Sequence, residues 1–157
     1  MTKCIHRKIS FEPIDRTFLR LSRQWLEDKE FCKLIMAQPV SLETQEAWFC
    51  SLSERRDYLI WGLKSVNWIG ACGLKNIDPD ACSAEYWGYI FPPDFRGAGI
   101  GSKMFKFICK EACKSGIDKL WLRVAETNEA AISAYQRWGF SETQSKEGGV
   151  IYMETCL

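Results

Sequence analysis

The sequence predicts an α/β (α+β) domain: a mixed, largely antiparallel central sheet of about seven strands flanked by about four helices. Three observations lead there. First, DYLIWGLK, WIGACGLKNI and SAEYWGYIF, between Asp57 and Phe91, are short aromatic and β-branched runs parted by SVN and DPDAC, the texture of an antiparallel meander. Second, apolar residues recur at helical spacing on both sides of that meander. Third, the order strand, helices, three strands, helix, strand, helix, two strands puts helices against the faces of one mixed sheet.

Taken in order, Cys4 to Phe11 reads as a short strand. Asp15 to about Met36 carries Phe18, Leu19, Leu21, Trp25, Leu26, Phe31, Leu34 and Ile35 at spacings that suit one or two amphipathic helices. Gln38-Pro39 ends that region, because the residue before a proline is pushed out of helical geometry. Ser41 is placed to cap the next helix, SLETQEAWFCSL, whose first turn holds acids and Gln. After the meander a helix runs from about Gly99 to Lys114 and stops at Ser115-Gly116. KLWLRVA is a strand, NEAAISAYQRW a helix stopped by Gly139, and FSETQSK with VIYMETC a hairpin turning about Glu147-Gly148-Gly149.

Composition bounds the function. A chain of 157 residues with 46% hydrophobic content is the size of one ordinary domain, able to bury roughly 70% of its unfolded surface. No repeat, low-complexity tract or linker divides it, so residues 1–157 are read as a single domain. Twenty-one Lys and Arg against 20 Asp and Glu give a formal charge of +1, no general field for nucleic acid or anionic lipid. The partner expected is therefore a small molecule, with the chain a monomer or homodimer. No apolar run is long enough to span a bilayer and MTKCIHRKIS lacks the apolar middle of a secretory signal, which points to the cytoplasm. The eight cysteines form no C-x-x-C pair and the one histidine is His6, so no metal site is expected and the thiols read as reduced.

The chemistry concentrates in FPPDFRGAGIGSKM. Arg96-Gly97-Ala98-Gly99-Ile100-Gly101-Ser102 leads from a strand into a helix, whose first N–H groups lack partners and carry the positive end of the helix dipole. Phosphate suits such a turn. The glycines let main chain approach a pyrophosphate, and Arg96 can add a charged fork. For the glycines alone, a plain turn that needs positive φ explains them equally well. The dinucleotide fingerprint fails, since the third glycine position counted from Gly97 and Gly99 is Ser102. The phosphate loop of nucleotide hydrolases also fails, because Ser102 rather than Gly precedes Lys103.

Arg96, Gly99 and Gly101 instead match the pattern Q/R-x-x-G-x-G/A, and this turn resembles the acetyl-CoA signature of the GNAT N-acetyltransferase superfamily. LWLRVAETNEAAISAYQRWGF is similar to the fifth strand and following helix of that superfamily, with N-x-x-A-x-x-x-Y-x-x-x-G-F at Asn128, Ala131, Tyr135, Gly139 and Phe140. The likeness is clear from roughly Trp68 onward. Spaced four and three apart, Asn128, Ile132 and Tyr135 share one helix stripe and can face one ligand.

The resemblance implies a GNAT fold whose fourth and fifth strands splay around acetyl-CoA, the co-substrate. It places the pyrophosphate on the main chain of Arg96, Gly97, Ala98, Gly99, Ile100, Gly101 and Ser102, the pantetheine arm along Tyr89, Ile90 and Phe91, and Asn128 and Tyr135 against the cofactor. Tyr135 would protonate the departing thiolate. Glu85 would be the general base, with Arg123 standing where some relatives carry one and Glu126 as a substitute. A base is useful because a lysine-like amine of pKa ~10.4 costs about 4.6 kcal/mol to deprotonate at pH 7.

RQWLEDKEF followed by PVSLETQEAWF looks like the helical region of GNAT members that acetylate nucleotide-linked amino sugars or ribosomal-protein N-termini. The sugar-nucleotide group often has Arg after the tryptophan, whereas Leu26 follows Trp25 here. The expected function is acetyl transfer from acetyl-CoA to the primary amine of a small molecule, with a peptide N-terminus as the alternative acceptor. A non-catalytic acyl-CoA-binding module is the alternative of another class.

Overall fold

A computed structural model describes residues 8–157 of the chain. One seven-stranded sheet runs through it in the order β1-β2-β3-β4-β5-β7-β6. Its strands are β1 (Ser10–Glu12), β2 (Leu59–Lys64), β3 (Trp68–Asp78), β4 (Ser83–Ile90), β5 (Lys119–Ala125), β6 (Ser141–Glu147) and β7 (Val150–Cys156). Every pairing is antiparallel except that of β4 with β5. The expected mixed, largely antiparallel sheet is therefore present. Of the strand expected over Cys4–Phe11, residues 4–7 lie outside the described residues, as does His6.

Helices α1 (Arg16–Trp25), α2 (Lys29–Ile35) and α3 (Leu42–Ser51) precede β2; α4 (Ile100–Lys114) and α5 (Glu129–Arg137) flank β5. The Asp15–Met36 region divides in two, making five α-helices among the described residues rather than about four. Asp15 caps α1, its Oδ1 accepting from Phe18 N at 2.8 Å, and Asp28 caps a fresh helix by accepting from Glu30 N and Phe31 N at 3.0 Å. Ser41 caps α3 as expected, accepting from Thr44 N at 3.1 Å. Gln45 on α3 is buried and reaches Leu19 O at 2.8 Å and Ser22 Oγ at 3.1 Å, which locks α3 to α1.

Side-chain alternation along the strands sorts the sheet into two faces. On the back, Leu120, Leu122 and Val124 of β5 and Tyr86 of β4 join Met104, Phe105 and Ile108 of α4 in the main core. On the front, a smaller core gathers Phe18, Trp25, Phe31 and Trp68, with Trp87, Tyr89 and Phe91 packed against it. Gly70 lets β3 and β4 approach closely, since a Cβ there would run into the Tyr89 carbonyl.

The feature that positions the site is an incomplete pairing. β4 and β5 pair only at Ser83↔Lys119, Ala84↔Leu120 and Glu85↔Trp121. Beyond Glu85 the strands part, β5 staying with β7 to Ala125 and β4 staying with β3 to Ile90. This is the expected splay between the fourth and fifth strands.

Candidate active site

A cleft of about 1390 Å³ occupies the splay. Its back end is the glycine turn. Gly97 and Gly99 have φ of 73° and 78°, the left-handed region, and nothing lies within 4 Å of where their Cβ atoms would be. They are glycines for conformation and clearance, not packing. Gly101 differs: a Cβ there would meet the Trp138 ring at 3.3 Å, so this position lets α4 pass close to α5. Among the described residues, the amides of 97 to 102 donate to no main-chain acceptor, the first such bond being Lys103 N to Gly99 O at 3.3 Å. Gly97, Gly99, Gly101 and Ser102 line the cleft. A free run of N–H groups at the start of a 15-residue helix fits a diphosphate.

Arg96 does not add a fork to this cradle. Its Nε donates to Ile90 O at 2.8 Å and its Nη2 to Phe91 O at 2.6 Å, so the guanidinium ties the turn to the end of β4. Arg137, an exposed cation at the end of α5, lines the same cleft.

The open edge of β4 faces the gap. Phe91 N donates to Ile69 O at 2.9 Å, and in an antiparallel ladder alternate residues turn their amide groups to the same neighbour. Tyr89 and Phe91 thus spend theirs on β3, a correction to the expectation that they hold the pantetheine. Gly88 and Ile90 are the residues whose N–H groups point into the gap. The Ile90 carbonyl is already taken by Arg96.

On α5, Asn128 caps the helix, its Oδ1 accepting from Ala131 N at 3.3 Å. Its amide Nδ2 donates one hydrogen to Leu34 O at 3.4 Å, joining α5 to the end of α2. Tyr135 is half-buried among the rings of Tyr86, Trp138 and Phe140, and its hydroxyl has no hydrogen-bond partner among the described residues. Burial pushes its phenol up to about 12. It lines the cleft on the same side as Gly101 and Trp138.

Glu85 stands at the apex of the splay, 2% exposed. Its Oε1 accepts from Arg123 Nε at 2.9 Å and lies 3.6 Å from Lys75 Nζ; its Oε2 accepts from Asn76 Nδ2 at 2.7 Å. A carboxylate so held by two cations and an amide has no oxygen turned freely to a substrate amine. The expected general base is thus corrected to a buried anchor for Arg123 and Lys75. Glu126 does not line the cleft; its carboxylate lies beside Gly149.

Residues 20–140 match the family described as "Acetyltransferase (GNAT) family". The chain belongs to that family. Among curated relatives, this GNAT chain is 38% identical over 99 residues to "[Ribosomal protein bS18]-alanine N-acetyltransferase" of Salmonella typhimurium, covering 63% of this chain and 64% of that protein. The match therefore spans less than two thirds of that relative. Among solved structures, it resembles a domain from Methanocaldococcus jannaschii (TM-score 0.80, 22% identity, covering 96% of this chain and 99% of that one). It resembles equally the spermidine N-acetyltransferase from Vibrio cholerae in complex with CoA and spermine (TM-score 0.80, 19% identity, covering 94% and 95%).

Most of the front half of the cleft in this GNAT chain was not foreseen. Tyr58, Lys75, Trp87, Arg123 and Tyr152 line it, with Leu34 at the end of α2. No short motif marks them, because they come from separate elements and meet only through strand register: Lys75 opposite Glu85, Arg123 opposite Tyr152. The one available signal was parity, since strand residues two apart share a face. In this front wall, Trp87 Nε1 is buried with no hydrogen-bond partner among the described residues.

Proposed function

We propose that this protein transfers the acetyl group of acetyl-CoA to the primary amine of a small molecule, an amino sugar linked to a nucleotide being one such acceptor. The observation that carries this reading is a continuous path through the splay: free amides of residues 97 to 102, then the open edge of β4 at Ile90 and Gly88, then the Tyr135 hydroxyl. The acetyl-CoA thioester supplies the acyl group and a thiolate leaving group.

The chain's own residues do the rest. The amides of residues 97 to 102 hold the diphosphate against the positive end of α4. The Gly88 and Ile90 N–H groups orient the pantetheine arm, and one of them meets the charge that develops on the thioester oxygen. Seating both reactants in one cleft removes several kcal/mol of the barrier. As the N–C bond forms and the C–S bond breaks, the Tyr135 hydroxyl donates a hydrogen bond to the departing sulfur. A phenol at about 12 stays protonated through neutral pH, but giving its proton to a thiolate of pKa ~8.5 is uphill by roughly 5 kcal/mol. Tyr135 therefore contributes by hydrogen bonding to the leaving sulfur more than by free proton release. With Glu85 engaged, the amine's own proton leaves through water in the cleft.

The 38% identity to a ribosomal-protein alanine acetyltransferase favours a second reading, an N-terminal peptide amine as acceptor. Release of free thiol from acetyl-CoA, measured with pooled small amines and with an alanine-initiated peptide, decides between them. Stabilisation by acetyl-CoA without thiol from either pool identifies a binding module instead.

A further inference from the structure

Resting on that acetyl-transfer reading, we infer that the acceptor carries an acidic group, a carboxylate or a phosphate, seated between Arg123 and Lys75 in the front half of the cleft. Glu85 does not exhaust these two cations. Arg123 spends only its Nε on Glu85, at 2.9 Å, and its side chain is 40% exposed, leaving both terminal nitrogens for another partner. Lys75 lies 3.6 Å from Glu85, beyond hydrogen-bond range, and its side chain is 32% exposed. Neither has any other acidic partner among the described residues.

One buried carboxylate against two cations leaves unspent positive charge on the cleft floor. Tyr58, Tyr152 and Trp87 line the same wall, and Trp87 Nε1 is buried with no acceptor among the described residues. Burial raises the Tyr58 phenol, so it remains an O–H donor. The other carboxylate on the lining, Glu147, is exposed at the β6–β7 turn, where water screens it.

A donor-rich, acceptor-poor pocket receives an oxyanion well: a carboxylate or phosphate takes paired N–H bonds from Arg123 and a point charge from Lys75. A polycationic acceptor meets like charge and finds no free acid in the cleft interior. The solved neighbour bound to spermine shares the fold at 19% identity, so its ligand need not be shared.

The test is calorimetry on the full chain loaded with CoA, which permits binding without transfer. Two matched pairs are titrated, β-alanine against propylamine for the carboxylate and glucosamine 6-phosphate against glucosamine for the phosphate, with spermidine as the polycation. The acidic member of at least one pair is expected to bind at least tenfold tighter than its neutral twin, and the arm that responds identifies the oxyanion. Lys75→Gln leaves Glu85 its bonds to Arg123 and Asn76, so it folds; it is expected to lower acid binding about tenfold while propylamine and CoA affinities stay unchanged. With acetyl-CoA in place of CoA, the same substitution should raise KM for the acid and leave kcat alone. Equal binding of acidic and neutral twins in both pairs overturns the inference, as does tighter binding of spermidine or an equal loss for both twins in Lys75→Gln. Acid binding that persists while no amine releases thiol supports the seat and removes the transfer reading, so the two ideas fail separately.

Discussion

The back end of the cleft presents main chain, the amides of residues 97 to 102 and the open edge of β4. The front end presents side chains from α2, β3, β4, β5 and β7. This difference matches what each end has to recognise. A diphosphate asks only for N–H groups and a dipole, which any sequence supplies once glycines permit the turn. An acceptor has to be told from other amines, and only side-chain chemistry can do that. The back end therefore depends on backbone conformation, the front end on charge placement.

The largest expected effect attacks the back end alone. Replacing Gly97 and Gly99 together by Val forces two β-branched residues into positive φ, at about 1–2 kcal/mol each. Relief of that strain opens the cradle, and CoA affinity by calorimetry should fall about 30- to 1000-fold while the thermal midpoint changes little. Unchanged affinity would show that the diphosphate is held elsewhere.

A second experiment asks whether the cleft walls stay closed. Burial pushes Tyr58, Tyr86 and Tyr89 above the usual phenol range and Tyr135 up to about 12. Their folded pKa values exceed the unfolded value of ~10, so the unfolded chain loses protons first. That stability is complete below pH 10 and is lost as pH climbs through 12; for Tyr135 alone it amounts to up to about 3 kcal/mol. Urea midpoints should be flat from pH 7 to 9.5 and decline above, with phenolate absorbance appearing as the chain unfolds. Phenolate signal from these rings before unfolding would contradict their burial.

Smaller again is Tyr135→Phe, where the two ends join. Loss of a hydrogen bond to the leaving sulfur should lower kcat roughly tenfold, about 1.4 kcal/mol, with CoA affinity unaltered. A wild-type kcat excludes the hydroxyl from the reaction. The least is expected of Asn128→Ala, which removes both the α5 cap and the tie to Leu34. Stability should drop by about 1 kcal/mol, with CoA affinity within twofold of wild type; a tenfold affinity loss would restore the amide to ligand contact.

Most elements were readable because their signals are local. Asp15, Ser41 and Asn128 cap the helices they precede; Gly116, Gly139 and the Gly148-Gly149 pair all take positive φ where the chain stops or turns. Whether Asp15–Met36 holds one helix or two stayed open because the apolar spacing runs on through Asp28. The site divides along the same line. The glycine turn was found from consecutive letters, whereas the partners of Arg96 and Glu85 were not legible because each lies elsewhere in the fold: Ile90 O and Phe91 O for Arg96, and Arg123 on another strand for Glu85.

The amino-acid order by itself determined the alternation of strands and helices and the place where main chain would be left bare. Both are set by φ/ψ preferences and capping within a few residues. The tertiary structure alone decided which polar groups are spent and which remain open to a ligand. Strand register sets that, by bringing Lys75, Glu85 and Arg123 together from three strands, and a hydrogen bond made across the sheet leaves no mark on the residues beside it.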